Sequence, residues 1–201
     1  MNESKNIKFN KTVQLITKMS LDMASVVFSK LTKTDAKIII DKIYSDDISN
    51  ISENMNKNSK EVMASLVNLV GDTPMKFLFM VPLNDSLKLT DLILEKKIGT
   101  HNEFNMYVES SVQEIGNIMA SAICNVFVTT CKIKLVPAPP IVMKDFSSTI
   151  FQEYTFDLAM EQNEMLVVES HFDLTNCGIN CSLFLLPYLE SNKILSSIEG
   201  L

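Results

Sequence analysis

Apolar residues recur at helical spacing over two long stretches of the chain. Between residues 100 and 130 they are Phe104, Val108, Val112, Ile115, Met119, Ala122 and Val126. Steps of four and three place these side chains on one face of a helix. Thr100 followed by Glu103 has the form of a capping box, so we expect this helix to begin at Thr100. Residues 11–31 predict an earlier helix in the same way, with an apolar stripe of Val13, Ile16, Met23 and Val27.

Shorter apolar runs predict the strands of a sheet. We expect strands at 37–40, 77–81, 132–136, 165–172 and 183–186. Residues 85–95 and 190–198 have the spacing of short helices, and a proline-rich turn contains Pro137, Pro139 and Pro140. The Asn- and Ser-rich residues 45–59 predict an exposed connection. Residues 61–70 are ambiguous by periodicity alone.

The order of these elements occurs twice. With an offset of 99, Val13, Ile16, Met23 and Val27 align with Val112, Ile115, Ala122 and Val126. With an offset of 105, residues 78–82 align with residues 183–187. The chain of 201 residues is therefore interpreted as a single domain of two helix–strands–helix repeats, about 8–98 and about 99–201. Because several connections are too short for parallel crossovers, we expect an α/β fold of the α+β type, in which one mostly antiparallel sheet is packed with helices around a pseudo-two-fold axis.

A set of polar residues lies nearly opposite the apolar stripe of the 100–130 helix: Ser110, Glu114, Asn117 and Ser121. At an offset of 99, the first three align with Lys11, Leu15 and Lys18. Pro140 has no proline counterpart, since the first half has none before Pro74. Any site built on this polar face therefore exists once, in the second half of the chain.

Glu114 and Asn117 lie one helical turn apart, with a rise of about 4.5 Å between them. A carboxylate can pair with a cation of a partner, and a carboxamide can hold a water molecule in a fixed orientation because it both donates and accepts hydrogen bonds. Gly116 lowers helix propensity by about 1 kcal/mol relative to alanine. We expect it to present a surface without a side chain, over which another protein approaches closely. From the spacing alone, this face is either such a site or solvated surface.

Composition and charge exclude several classes of function. The net charge is −6 and there is no basic block, so neither nucleic acid nor an anionic membrane surface is an expected partner. The chain has no Gly-x-Ser-x-Gly motif and no glycine-rich phosphate loop, and His101 and His171 lie far apart. These observations disfavour a hydrolase that acts through its own nucleophile or its own metal.

The cysteines and the N-terminus indicate a reducing compartment. Cys124, Cys131, Cys177 and Cys181 have mostly apolar neighbours and lack the spacing of a zinc knuckle. We expect buried thiols rather than a metal site or a disulfide. The first residues lack the apolar core of a secretory signal, and no apolar run approaches the ~20 residues that span a bilayer. The expected location is the cytoplasm.

The spacing of Ser110, Glu114, Asn117 and Pro140 resembles the signature of a known family. It matches Asp/Ser-x3-Glu-x2-Asn-x22-Pro, the pattern of the CheC/CheX/FliY phosphatases of bacterial and archaeal chemotaxis. Residues 113–118 resemble the core of the family's helix, Asn125 a further asparagine of that helix, and residues 183–187 its final strand. The length and the duplicated layout are similar to CheC in particular. Two departures are Ser121, where a glycine is common, and the motif's presence in one half only, whereas CheC proteins often carry it twice.

This resemblance implies a CheC-like phosphatase for the aspartyl phosphate of CheY or a CheY-like response regulator. It implies that Asn117 orients the attacking water, Glu114 pairs with the regulator's active-site lysine, Ser110 supports that contact and Pro140 shapes the neighbouring loop. No cofactor of its own is expected, because the regulator holds the magnesium. CheD and a second copy of the chain are further candidate partners. The alternative is a non-catalytic protein of the same fold, either an adaptor for phosphorylated CheY or CheD or a flagellar-switch relative such as FliM.

Overall fold

A computed structural model describes residues 11–173, 178–188 and 191. The elements follow one another along the chain as α1 (Lys11–Thr32), β1 (Lys37–Asp47), α2 (Ile48–Lys57), β2 (Glu61–Gly71), β3 (Met75–Pro82), α3 (Leu83–Ile93), α4 (Met106–Cys131), β4 (Leu135–Pro137), β5 (Ile141–Phe146), α5 (Ser147–Glu161), β6 (Glu164–Asp173) and β7 (Ser182–Pro187). The predicted helix 190–198 lies outside the described residues except for Ser191.

The described strands form one sheet in the order β1-β6-β7-β3-β2-β4, and β5 pairs with β2 on the same edge as β4. Every pairing is antiparallel. At the centre, Leu78 of β3 lies opposite Phe184 of β7, and Phe79 lies opposite Leu183. The sequence offset of 105 relates Leu78 to Leu183 and Phe79 to Phe184, so this register is the one that a two-fold axis between β3 and β7 requires. The predicted fold class is confirmed, whereas the bounds of the two repeats stay a prediction.

Helices cover both faces of the sheet. The core under α1, α3 and α4 contains Met63, Val67 and Leu69 of β2. The core under α2 and α5 contains the intervening residues of the same strand, Val62, Ala64 and Leu66. Since successive side chains of a strand point to opposite faces, one strand contributes to both cores and the molecule has three layers.

The first and fourth helices bury equivalent positions. Ile16, Ala24 and Phe28 of α1 are fully buried, and the residues 99 positions later, Ile115, Ile123 and Phe127 of α4, are 0–2% exposed. Met23 departs from the predicted stripe because it is 46% exposed, whereas its equivalent, Ala122, is buried. The predicted helix is therefore confirmed, but its buried face is rotated from Met23 toward Ala24.

Among the described helices, α4 alone is long and apolar enough to cross a membrane by length and composition. This differs from the expectation that no segment approaches that length. In the structure, its apolar residues Val112, Ile115, Met119 and Ile123 are fully buried against the sheet and α1. Core helices of folded domains meet the same criterion of length and apolarity.

The predicted start of α4 at Thr100 is wrong. The helix begins at Met106, because Asn105 is its N-cap. The Oδ1 atom of Asn105 accepts hydrogen bonds from the backbone N–H groups of Tyr107 (3.0 Å) and Val108 (3.4 Å). Thr100 lies in the preceding turn, where its hydroxyl donates to the carbonyl of Lys97. A capping-box pattern is local, and a better cap five residues later takes precedence.

The predicted exposed connection at residues 45–59 is also wrong. It contains the end of β1 and the helix α2, which buries Ile48 and Ile51. The many Asn and Ser residues concealed this short apolar stripe. The ambiguous residues 61–70 form a strand, β2, whereas β5 and α5 were not predicted. The strand expected at 132–136 is shorter and begins later, at Leu135–Pro137. The last difference arises because Lys132, in the left-handed region, ends α4.

Candidate functional site

The outer side of α4 carries the polar residues singled out in the sequence. Ser110 and Glu114 are exposed and Asn117 is half-buried, whereas Val112 and Ile115 of the same turns are buried. Within the described part of the chain, the side chains of Ser110, Glu114 and Asn117 make no hydrogen bond or ion pair. Their polar groups are therefore available to a ligand or a partner.

A cleft of about 590 Å³ lies beside these residues. One wall consists of Ser110, Gln113, Glu114 and Asn117 of α4. The other consists of the last residue of β4, Pro137, and the connection to β5, Ala138, Pro139 and Pro140. The structure thus brings together all four residues of the motif. Their chemical roles stay a prediction.

The proline wall arises from an interruption of the sheet edge. Strand β2 pairs with β4 through residues 69–71 and with β5 through residues 61–66. The prolines between β4 and β5 lack the N–H that a continuous ladder needs. Two hydrogen bonds position this connection: the backbone N–H of Ala138 donates to the carbonyl of Asn68 (2.8 Å), and Nε2 of Gln113 donates to the carbonyl of Pro140 (3.3 Å). Gln113 was not predicted as a site residue, because its partner is distant in sequence.

The equivalent edge in the first half has a different form. There β1 pairs with β6 along its whole length, with a bulge between Ile40 and Lys42. The offset of 99 places Asp41, the residue at this bulge, at the position of Pro140. Asp41 contacts Nδ1 of His171 on the neighbouring strand (2.7 Å). The sheet edge is thus opened by prolines in the second half and only bulged in the first.

Gly116 does not present a surface to a partner, contrary to the expectation from the sequence. It is buried, and a Cβ atom at this position would overlap Oγ of Ser65 and lie 2.5 Å from Cβ of Ser65 on β2. Residue 116 lies about 100° around the helix from Asn117, on the side that faces the sheet. The glycine therefore allows α4 to pack closely on β2, directly beneath the candidate site.

A buried carboxylate holds the connection that leads from α3 into α4. Asp91 of α3 is fully buried and accepts hydrogen bonds from the backbone N–H groups of Gly99 (2.7 Å), Thr100 (3.0 Å) and His101 (3.1 Å). Its Oδ1 atom also lies 2.6 Å from Nδ1 of His101. Burial by itself would raise the pKa of Asp91, but these hydrogen bonds, led by the one from the His101 side chain, outweigh it and hold the pKa below the usual 3.8.

We expect Asp91→Asn to reduce the free energy of unfolding at pH 7 by about 1–2 kcal/mol, since an amide cannot accept all of these hydrogen bonds. A carboxyl group whose pKa is lowered by folding stabilises the protein above its unfolded pKa of about 4, and this contribution is lost as the pH falls through the folded value. Urea unfolding between pH 7 and pH 2.5 measures both effects.

The difference in free energy of unfolding between the wild type and Asp91→Asn should shrink as the pH falls. Asp22→Asn, at an exposed position of α1, is the control and should leave stability unchanged at every pH. A difference for Asp91→Asn that stays constant across this range would contradict the assignment.

No metal site or reactive thiol accompanies the cleft among the described residues. No group of three or more His, Cys, Asp or Glu side chains in these ranges could hold a metal ion. Cys124 and Cys181 are buried and Cys131 is half-buried. Burial raises the pKa of the Cys124 thiol to about 12, which keeps it protonated at neutral pH. Cys177 lies outside the described residues.

Comparison with solved structures shows which proteins share this fold. FliY from Thermotoga maritima is similar, with a TM-score of 0.73 and 14% identity over 96% of each chain. The FliM middle domain from H. pylori has a TM-score of 0.65 and 10% identity, covering 94% of this chain and 97% of that one. A CheX–CheY–BeF3–Mg²⁺ complex from Borrelia burgdorferi gives a TM-score of 0.58 and 14% identity, covering 86% and 97%.

No family model matches the chain, and no curated protein sequence matches it either. The structural neighbours include FliY, CheX, a CheC-like protein and FliM middle domains. At identities of 10–14% this likeness shows the fold. The resemblance to the CheC/CheX/FliY family, read from the motif, is confirmed at that level.

Proposed function

We propose that this protein is a phosphatase that dephosphorylates the aspartyl phosphate of CheY or a CheY-like response regulator and so terminates a chemotaxis signal. The observation that carries the proposal is the cleft in which Glu114 and Asn117, one turn apart and without partners among the described residues, face the Pro140 wall. A CheY-like partner is supported by the neighbour solved as a CheX–CheY complex. The family motif supports the reaction.

The proposed chemistry needs only a positioned water molecule. Aspartyl phosphate is a reactive acyl phosphate, and hydrolysis requires attack on phosphorus in line with the bond to the aspartate oxygen. The carbonyl of the Asn117 carboxamide accepts a hydrogen bond from this water, which fixes the direction of its lone pair. As the new P–O bond forms, the bond to the aspartate oxygen breaks. The products are inorganic phosphate and the free aspartate carboxylate.

Glu114 would set the register in which α4 docks. Its exposed carboxylate has no ion pair within the described residues, so it can pair with the lysine of the regulator's active site. Ser110, one turn earlier, supports the same contact. Pro140 shapes the opposite wall, which Gln113 ties to the helix. The magnesium belongs to the regulator, and no cofactor of the chain itself is proposed.

The proposed activity rests on one cleft per chain. At the positions of Glu114 and Asn117, α1 carries the exposed residues Leu15 and Lys18. Neither can replace a carboxylate or a water-orienting carboxamide. A cytoplasmic location accords with this function, and CheD and a second copy of the chain remain candidate partners.

A second candidate is a non-catalytic protein of the same fold, either an adaptor that binds phosphorylated CheY or CheD or a flagellar-switch relative. FliM middle domains are among the solved structures that share this fold, which supports this candidate at the level of the fold. The free Glu114 and Asn117 side chains in one cleft favour the phosphatase.

The two candidates differ in phosphate release. The experiment mixes the protein with CheY-type receivers phosphorylated by acetyl phosphate and follows inorganic phosphate against each receiver alone. Faster release supports the phosphatase. A complex with the phosphorylated receiver at an unchanged rate decides for the adaptor. If the protein neither binds any phosphorylated receiver nor accelerates phosphate release from it, the phosphatase and the CheY-binding adaptor are both contradicted.

We expect Glu114→Ala to raise the KM for the phosphorylated receiver about fivefold to tenfold while kcat changes less than about threefold. The carboxylate pairs with a lysine that does not take part in bond breaking, so its loss weakens docking more than chemistry. Steady-state phosphate release over a range of receiver concentrations measures both constants. Glu109→Ala, at an exposed position on a different side of α4, is the control. A fall in kcat that exceeds the rise in KM would place Glu114 in the chemical step.

A further inference from the structure

Three large exposed apolar side chains lie at or just before the start of α4, and we call them the apolar rim: Phe104, Met106 and Tyr107. Their exposed fractions are 38%, 71% and 58%. Met106 and Tyr107 precede Ser110 by four and three residues, so they lie one turn from it on the same side of α4. The rim thus continues the surface of the candidate site without a break.

The rim is held in place by its surroundings. Nζ of Lys144 on β5 lies 4.4 Å above the ring of Phe104. The ring of Tyr107 is 6.1 Å from that of His101, which the buried carboxylate of Asp91 positions. Asn105, between Phe104 and Met106, caps α4. The exposed rings of Phe104 and Tyr107 therefore have contacts in the free protein, and side chains ordered in advance lose little entropy on binding.

We propose that the apolar rim is the contact by which the protein grips its phosphorylated receiver, packing on the receiver's surface beside the phosphorylation pocket. This inference rests on the proposed function. A specific interface covers about 800 Å² of each partner, which corresponds to a disc with a radius of about 16 Å. Tyr107 lies about 10 Å and Met106 about 12 Å from Glu114 along the helix axis. An interface centred on Glu114, the residue that pairs with the receiver's lysine in the proposed function, therefore reaches both residues.

Charge favours this occupant over a second copy of the chain. The carboxylates of Glu103 and Glu114 are both exposed on the segment that carries the rim. An isologous dimer through this surface would bring these carboxylates against one another. A receiver instead presents its active-site lysine, which the proposed function pairs with Glu114.

The inference assigns affinity and chemistry to different residues. Burial of the rim stabilises the complex both before and during the reaction, so it lowers KM without changing kcat. Asn117, in contrast, acts only on the attacking water. The rim is thus a specificity determinant, because receivers with a polar surface at this place would bind poorly.

The test compares two double variants that remove similar exposed side chains. Met106→Ala/Tyr107→Ala removes the core of the rim. Phe156→Ala/Met160→Ala removes side chains that are 65% and 74% exposed on α5, on the opposite face of the sheet. Phosphate release is measured over a range of concentrations of the CheY-type receiver that the wild type dephosphorylates fastest. We expect a rise in KM of about tenfold or more for the rim variant with kcat within twofold, and both constants within twofold for the control.

The outcomes separate this inference from the proposed function. If the wild type accelerates phosphate release and the rim variant keeps its KM within twofold, the inference is overturned and the phosphatase stands. If the wild type binds a beryllofluoride-activated receiver without hydrolysing the phosphorylated form, the phosphatase fails, and the same tenfold criterion applies to the Kd of that complex. If the wild type neither binds a receiver nor accelerates phosphate release from it, both the phosphatase and the inference about the rim are overturned. A dimer that dissociates in the rim variant while KM stays unchanged assigns the rim to a second copy and also overturns the inference.

Discussion

Asn117→Ala should lower kcat for phosphate release from a phosphorylated CheY-type receiver by about 100-fold or more, while KM changes less than about threefold. The loss of one preorganised polar group that acts in the transition state reduces kcat by roughly 10²–10³. Alanine retains the helix and removes only the carboxamide. Because Asn117 makes no hydrogen bond within the described residues, its removal leaves no partner unsatisfied.

Single-turnover phosphate release at saturating protein is the direct measurement, since it isolates the chemical step from docking. Asn54→Ala is the matched control, because Asn54 is an exposed asparagine of α2 on the opposite face of the sheet. Its rate should equal that of the wild type. Equal rates for Asn117→Ala and the wild type would show that the assigned role of Asn117 is wrong.

Gly116→Ala should reduce the free energy of unfolding by about 2 kcal/mol. An added methyl group would meet Ser65, whose Cβ lies 2.5 Å from the position that a Cβ of residue 116 would take. Rotation of the Ser65 hydroxyl cannot relieve this contact, so α4 or β2 must shift. Overpacking of this kind lowers stability by about 1–3 kcal/mol, against a gain of about 1 kcal/mol in helix propensity from alanine. We place the cost near the upper end because the clash involves the Cβ of Ser65, and β2 is paired on both sides at this residue.

Urea unfolding of two double variants identifies the cause. Gly116→Ala/Ser65→Gly removes the clashing Cβ and should recover most of the loss relative to Ser65→Gly alone. Gly116→Ala/Ser65→Ala retains that Cβ, so it should not recover the lost stability relative to Ser65→Ala alone. Equal recovery in both would assign the effect to the Ser65 hydroxyl, which has no hydrogen-bond partner among the described residues. An unchanged stability of Gly116→Ala would show that α4 does not need this close approach.

The elements that the sequence predicted correctly share one property, a strong local pattern. The apolar stripes identified α1, α3 and α4, and continuous apolar runs identified β3, β6 and β7. The helix α2 was missed because only Ile48 and Ile51 are buried among polar residues. In such a short helix, packing against α5 rather than periodicity decides the structure.

The repeat was detectable from sequence because core positions tolerate few changes of size. The offset of 99 predicted that α1 and α4 are equivalent, and their buried positions agree. The offset of 105 predicted that residues 78–82 and 183–187 are equivalent, and the register of β3 with β7 agrees with a two-fold axis between them. Exposed positions carry no such constraint, which is why Met23 was misassigned to the buried stripe.

The sequence by itself determined the fold class and the shared helix face of Ser110, Glu114 and Asn117, because helical periodicity is a local property of the chain. Only the tertiary structure decided what surrounds that face. It placed Pro140 opposite Gln113, turned Gly116 inward onto Ser65, and moved the start of α4 to Asn105. Two of these features, the Pro140 wall and the Gly116 contact, depend on groups more than twenty residues away in sequence. Their positions follow from how the helix packs on the sheet, which no local pattern records.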